Sequence, residues 1–173
     1  MNTDLKSYIR NVSDFPKPGI NFKDISPLLS SPIAFSHAVK QVKKEWAGKI
    51  DTIVGLDARG FIIGSALAFA MKVPFVMMRK AGKLPGKTFS LSYELEYGKA
   101  ELEVEADAIP HGSRVLVVDD LLATGGTAVA ACALIEQVGA TVAGCAFVIE
   151  LSFLNGRKKL SGKTIQSLII YEE

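Results

Sequence analysis

Two adjacent carboxylates, Asp119 and Asp120, stand just ahead of a run of small residues, Ala123-Thr124-Gly125-Gly126-Thr127. The two halves suit different chemistry. Glycines in a turn let backbone N–H groups crowd toward one ligand, and a helix starting there adds partial positive charge, so the turn suits a phosphate. Carboxylates repel a phosphate, so the acidic pair must serve another group. It suits two neighbouring hydroxyls, such as the 2′ and 3′ hydroxyls of a ribose, whose hydrogen bonds carboxylates accept. Acid pair and turn together describe a cradle for ribose 5-phosphate. A solvated strand end would explain the acids alone, but not their place directly before Gly-Gly and an apolar helix.

A second turn, Asp57-Ala58-Arg59-Gly60, also follows an apolar run and precedes an apolar helix. Arg59 is either a surface charge at a helix start or a bidentate phosphate ligand. The turn is not a Walker loop, because no Gly-Lys-Ser/Thr follows, and it is not Gly-x-Gly-x-x-Gly. Residues 80–92 contain Lys83, Lys87, Gly82, Pro85 and Gly86 and read as a long basic loop. Such a loop is a solvated connection or a glycine-hinged lid over an anion. Phe22 lies in a Pro- and Gly-rich stretch between Asn21 and Lys23. Residue type alone leaves it equally a core plug or a stacking platform.

The segment Val115 to Thr127 resembles the phosphoribosyl pyrophosphate motif of type I phosphoribosyltransferases. Its Leu-Leu-Ala-Thr-Gly-Gly-Thr form is most similar to the adenine-using branch of that family. Phe15 to Ile25, Gly55 to Gly60, Leu95 to Leu102 and the loop Lys80 to Gly86 agree with it in order. Together they run from residue 15 to 127; the last third carries no comparable signature and reads as scaffold.

The resemblance implies transfer of a 5-phosphoribosyl group from phosphoribosyl pyrophosphate to adenine, giving AMP and pyrophosphate in purine salvage. It assigns Asp119 and Asp120 to ribose and Ala123, Thr124, Gly125, Gly126 and Thr127 to the 5′-phosphate. Asp57, Ala58, Arg59, Arg79 and Lys83 go to pyrophosphate, with a non-proline cis peptide expected at Asp57-Ala58. Phe22 would stack on the purine, backbone groups near Asn21 and Lys23 would read its edge, and Leu121 would cover its other face. Glu96 and Arg59 receive catalytic parts, Glu96 swinging in with the lid to hydrogen-bond the base while N9 attacks. Mg²⁺ is expected, bound mainly through the pyrophosphate and ribose oxygens rather than by a cluster of protein ligands. A homodimer is implied. The rivals are transfer to another nucleobase, a non-catalytic sensor of the donor that binds nucleic acid, and a donor synthetase, for which the chain is short and lacks an ATP signature.

These residues need a scaffold that brings separated turns to one place. Residues 32–47 show a helical apolar period in Phe35, Val39, Val42 and Trp46. Strands are expected at Ile50–Leu56, Val73–Met78, Val115–Val118, Val142–Ile149 and Ser167–Tyr171. Helices are expected at Phe61–Met71, apolar on all sides and hence buried, and at Thr127–Val138, stopped by Gly139. Leu95 to Val104 alternates as a hairpin would. The alternation predicts an α/β fold, a mostly parallel twisted sheet flanked by helices, with ligands at the carboxyl ends of the strands. One domain over residues 1–173 is expected, with a base-binding hood at 1–30 and a mobile lid at 80–92.

The chain has 173 residues, is 49% hydrophobic and 22% charged, and carries net charge +2. That composition excludes disorder, and the balanced charge gives no electrostatic reason to bind nucleic acid. The longest apolar run, Phe61 to Met71, is shorter than the roughly 18 residues of a membrane span. The first residues lack the apolar core of a signal peptide, so a cytoplasmic protein is expected. Cys132 and Cys145 sit in apolar settings without a paired spacing and read as reduced, packed thiols. His37, His111 and Trp46 read as structural.

Overall fold

Strands made of unbroken aliphatic runs must be covered on both faces. In the computed structural model, which describes residues 3–94 and 99–173, this is what surrounds β3 (Thr52–Leu56) and β7 (Arg114–Leu122). Leu116 and Val118 face the core under α1 (Ser26–Ser30), α2 (Pro32–Trp46) and α3 (Arg59–Met71). Val115 and Val117 face the opposite core, under α4 (Gly126–Gln137). Trp46 is buried in the first core, and its Nε1 donates to Gln166 Oε1 at 2.8 Å.

The main sheet has seven strands in the order β5-β6-β4-β3-β7-β8-β9, where β4 is Phe75–Lys80, β5 Thr88–Glu94, β6 Lys99–Glu105, β8 Thr141–Leu151 and β9 Ile165–Tyr171. The pairs β4–β3, β3–β7, β7–β8 and β8–β9 are parallel, while β5–β6 and β6–β4 are antiparallel. The carboxyl ends of β3, β4 and β7 therefore share one edge. A separate two-stranded sheet pairs β1 (Arg10–Val12) with β2 (Phe22–Asp24). A short helix, α5 (Gly156–Lys159), precedes β9.

Several boundaries differ from the sequence reading. The expected loop at 80–92 is strand from Thr88, leaving only 81–87 as connection. Leu91 and Tyr93 alternate inward onto the α4 core, a signal hidden by the Lys, Gly and Pro before them. The alternation expected at Leu95 and Tyr97 lies outside the described residues. Helix α3 is not buried all round: Ile62 is 43% and Phe69 89% exposed. The stretch before residue 30, read as loop-rich, holds the β1–β2 pair and α1. The thiols of Cys132 and Cys145 meet at 3.7 Å, because α4 packs across β8, a proximity their spacing does not reveal. Among the described residues, no helix is long and apolar enough to cross a membrane.

Candidate active site

The acidic pair ends up in two different environments at the end of β7. Asp119 Oδ1 accepts the Asp120 N–H at 2.8 Å. The Asp120 side chain is nearly buried, and its Oδ2 lies 3.0 Å from Arg59 Nε. That contact lacks hydrogen-bond alignment, so Oδ2 is a buried acceptor without a hydrogen-bond partner among the described residues. Burial pushes both carboxyls above the usual range, and the Asp120 charge adds to the rise at Asp119. Arg59 reaches Asp120 because α3 begins against the end of β7. A Cβ on Gly60 would stand 2.6 Å from the Val118 carbonyl oxygen and 3.0 Å from Asp119 Oδ1, so only glycine allows the approach.

The small-residue turn lines a cavity of about 90 Å³ with Asp119, Leu121, Thr124, Gly125, Gly126 and Thr127 on its wall. Gly125 has φ +80° and opens α4, which directs that helix N-terminus at the turn. Such an end is suited to an anion. Leu121 is half-buried against the α2–α3 core and also borders this cavity. Tyr93, from β5, brings its hydroxyl within 3.3 Å of Thr127 Oγ1.

The turn after β3 carries the cis peptide expected at Asp57-Ala58. Asp57 collects two cations, Arg79 Nε at 3.1 Å and Lys83 Nζ at 3.4 Å. Burial alone would raise the Asp57 carboxyl, but hydrogen bonds from Arg79 and Lys83 outweigh it and hold it below the usual value. Arg79 Nη1 also donates to the Lys83 carbonyl at 3.3 Å, tying the start of the 81–87 loop to β4. Arg79 and Lys83, two of the three cations expected at pyrophosphate, therefore stand beside the turn that carries the third, Arg59.

In the β1–β2 hairpin, Phe22 meets Phe15 edge-on with ring centroids 5.2 Å apart. The Arg59 guanidinium lies 5.2 Å from the Phe22 ring centre. Asn21 is exposed beside it. The Lys23 side chain points the other way: its Nζ donates to Asn11 Oδ1 at 2.8 Å and stands 4.2 Å from the Tyr171 ring centre. Any reading of a base edge at Lys23 thus falls to its backbone. Asp24 ties the hairpin to α1, accepting from Ser26 N at 2.8 Å and Ser26 Oγ at 2.6 Å, and it also pairs with Arg10. The Ser26 bonds, reinforced by Arg10, hold the Asp24 carboxyl at about 2.

The sheet edge thus joins Asp57, Arg79 and Lys83 in one group and Asp119, Asp120, Arg59 and Phe22 in another. Glu96 lies outside the described residues. Sequence reasoning missed Tyr93 and Gly156, which both touch the Ala123–Thr127 turn. The Asn155-Gly156 dipeptide was the available signal for the second. Larger cavities lie elsewhere, against Gln41 and β9, and none of the expected site residues lines them. Among the described residues no group of three or more His, Cys, Asp or Glu could hold a metal by itself.

Comparison with known proteins points one way. The family described as "Phosphoribosyl transferase domain" matches residues 24–167. An adenine phosphoribosyltransferase of Desulfitobacterium hafniense is 55% identical over 169 residues, covering 97% of this chain and 98% of that protein. The crystal structure of adenine phosphoribosyltransferase from Thermoanaerobacter pseudethanolicus superposes with a TM-score of 0.94 at 49% identity, covering 97% and 98% of the two chains. The Saccharomyces cerevisiae enzyme, complexed with an imino-altritol bisphosphate and adenine, superposes with a TM-score of 0.90 at 44% identity, covering 95% and 96%.

Proposed function

This chain belongs to the phosphoribosyl transferase family, and on that premise we infer its reaction: the protein transfers the 5-phosphoribosyl group of phosphoribosyl pyrophosphate to adenine, forming AMP and pyrophosphate. The observation that carries this reading is the position of Arg59, which stands between the Asp120 carboxylate and the Phe22 ring. A base stacked on Phe22 and a ribose held by Asp119 and Asp120 are then neighbours, as a bond between N9 and the anomeric carbon requires.

In this reading the Ala123–Thr127 turn holds the 5′-phosphate and the acidic pair takes the ribose hydroxyls. Those hydroxyls would satisfy the partnerless Oδ2 of Asp120. Arg79 and Lys83, now on Asp57, turn to the pyrophosphate, and Arg59 adds charge beside it. The bond from the anomeric carbon to pyrophosphate oxygen breaks, the N9 bond forms, and the base gives up its N9 proton. Glu96 hydrogen-bonds the base during that loss. The 81–87 loop and the β5–β6 hairpin close over the donor and keep water out.

The site fits Mg²⁺ carried by substrate. The carboxyls of Asp119 and Asp120 are raised by burial, which a nearby cation would relieve, yet they are too few to chelate it alone. When bound, the ion neutralises the leaving pyrophosphate, and Asp119 and Asp120 are the carboxylates that would meet its waters. The setting is the cytoplasm, where phosphorylated sugars are retained by their charge. The protein works as a homodimer, which would cover the exposed Ile62 and Phe69 of α3.

The deciding measurement incubates purified protein with phosphoribosyl pyrophosphate, Mg²⁺ and one base at a time: adenine, guanine, hypoxanthine, xanthine or orotate. AMP from adenine, with little turnover of the others, is expected. Faster turnover of another base would reassign the acceptor. Donor binding with no nucleotide formed would favour a sensor.

A further inference from the structure

The phosphate turn is backed by a segment from the last third of the chain. Glu150 lies near the end of β8, in register with Leu122, so it is level with the start of the turn. It is 2% exposed, yet it keeps its charge partnered. Arg157 donates to it twice, Nε to Oε1 at 2.9 Å and Nη2 to Oε2 at 2.6 Å, and Ser167 Oγ donates to Oε2 at 2.6 Å. Arg157 Nη1 reaches on to the Ile165 carbonyl at 3.3 Å, at the start of β9. A bidentate pair fixes the position of both partners more tightly than a single bond does.

The residue before Arg157 touches the turn. The chain reverses at Asn155, φ +57°, and Gly156 then lies with its backbone on the phosphate turn. A Cβ on Gly125 would stand 2.7 Å from the Gly156 carbonyl oxygen, and a Cβ on Gly156 would run into the carbonyl of Ala123. The two backbones are in contact with no side chain between them. The height of Gly156 therefore sets the position of Ala123 and Gly125, whose amides border the cavity.

We propose that Glu150, Arg157 and Gly156 form a positioning device for the 5′-phosphate turn, the ion pair holding Gly156 as a fixed stop behind Ala123 and Gly125. None of the three touches substrate. The inference rests on the reading of Ala123–Thr127 as the 5′-phosphate site. The 5′-phosphate does not react, so loosening its seat weakens ground state and transition state alike. Such a change raises KM for the donor and spares kcat.

The test compares wild type with Arg157→Lys, Glu150→Gln and Gly156→Ala. Ribose 5-phosphate and inorganic pyrophosphate serve as separate inhibitors competing with the donor. Misplacing a binding group by a fraction of an ångström should raise the inhibition constant of ribose 5-phosphate about tenfold or more in each variant. The constant for pyrophosphate, the KM for adenine and kcat at saturating donor should change by less than about threefold, since those contacts lie on other turns. Arg157→Lys keeps the charge, so it remains informative if Gly156→Ala does not fold. Equal rises for both inhibitors would mean general loosening and would overturn the proposal, as would no rise for either. A wild-type protein that ribose 5-phosphate fails to inhibit would remove both the proposal and the reading beneath it. Normal inhibition of wild type with unshifted variants removes the proposal alone.

Discussion

At the scale of single residues, Asp119 and Asp120 stand at the end of β7, directly before the Gly125-Gly126 turn that opens α4. Their environment yields a prediction with two readouts. Burial, with Asp120 beside it, raises the Asp119 carboxyl, so the folded protein holds that proton more tightly than the unfolded chain does. Stability is then greatest below the unfolded value of about 3.9 and falls as pH climbs from there toward the raised folded value. Asp119→Asn removes that loss and should raise the melting temperature at pH 7, with the gain disappearing near pH 3. The same change weakens a charge-assisted bond worth roughly 1.5–3 kcal/mol and should lower kcat/KM about 10- to 100-fold. A lower melting temperature at pH 7 would contradict the burial argument, and unaltered activity would contradict the ribose assignment. Glu96→Gln should lower kcat by about 10²–10⁴-fold with little change in donor affinity, the range of a positioned acid or base. Steady-state kinetics at wild-type level would return Glu96 to the ordinary surface charges. Gly156 and Tyr93 were missed for a common reason: each meets the Ala123–Thr127 turn from a distant part of the chain. Only the strand order brings them there.

At the scale of elements, type was easier to read than extent. Unbroken aliphatic runs gave β3, β7 and β8 because both faces of those strands are buried. The segment from residue 80 onward misled because Lys83, Pro85, Gly86 and Lys87 dominate its composition. The alternation from Thr88 to Tyr93 is quieter, and half of it faces solvent. Helix α3 misled in the opposite sense, since an apolar composition does not tell which residues stay exposed, as Ile62 and Phe69 do. The corrected boundary leaves 81–87 as the connection in the proposed lid, with Lys83 and Lys87 both exposed to trypsin. Cleavage there should slow when phosphoribosyl pyrophosphate and Mg²⁺ are added, if Lys83 exchanges Asp57 for the donor as proposed. Gel analysis of timed digests reads this directly, and equal rates with and without donor would rule out a closing loop.

At the scale of the whole molecule, Ile62 and Phe69 leave an exposed apolar face on α3, the face that the proposed homodimer would cover. Phe69→Asp should shift the protein from dimer to monomer in sedimentation velocity while leaving its circular dichroism unchanged; a wild-type monomer would refute the assembly. The base hairpin has a different relation to the rest. Strands β1 and β2 pair only with each other and share no ladder with the seven-stranded sheet. Arg59 at Phe22 and Lys23 at Tyr171 are side-chain contacts between the hairpin and the main sheet with its helices. In the proposed reading the hairpin carries Phe22, Asn21 and Lys23 for the base, while the acidic pair and the Ala123–Thr127 turn stand in another sheet. A graft of residues 10–24 from a relative that uses a different base should carry that preference with it and leave donor KM as it was; a graft that alters donor KM instead would show the two to be linked.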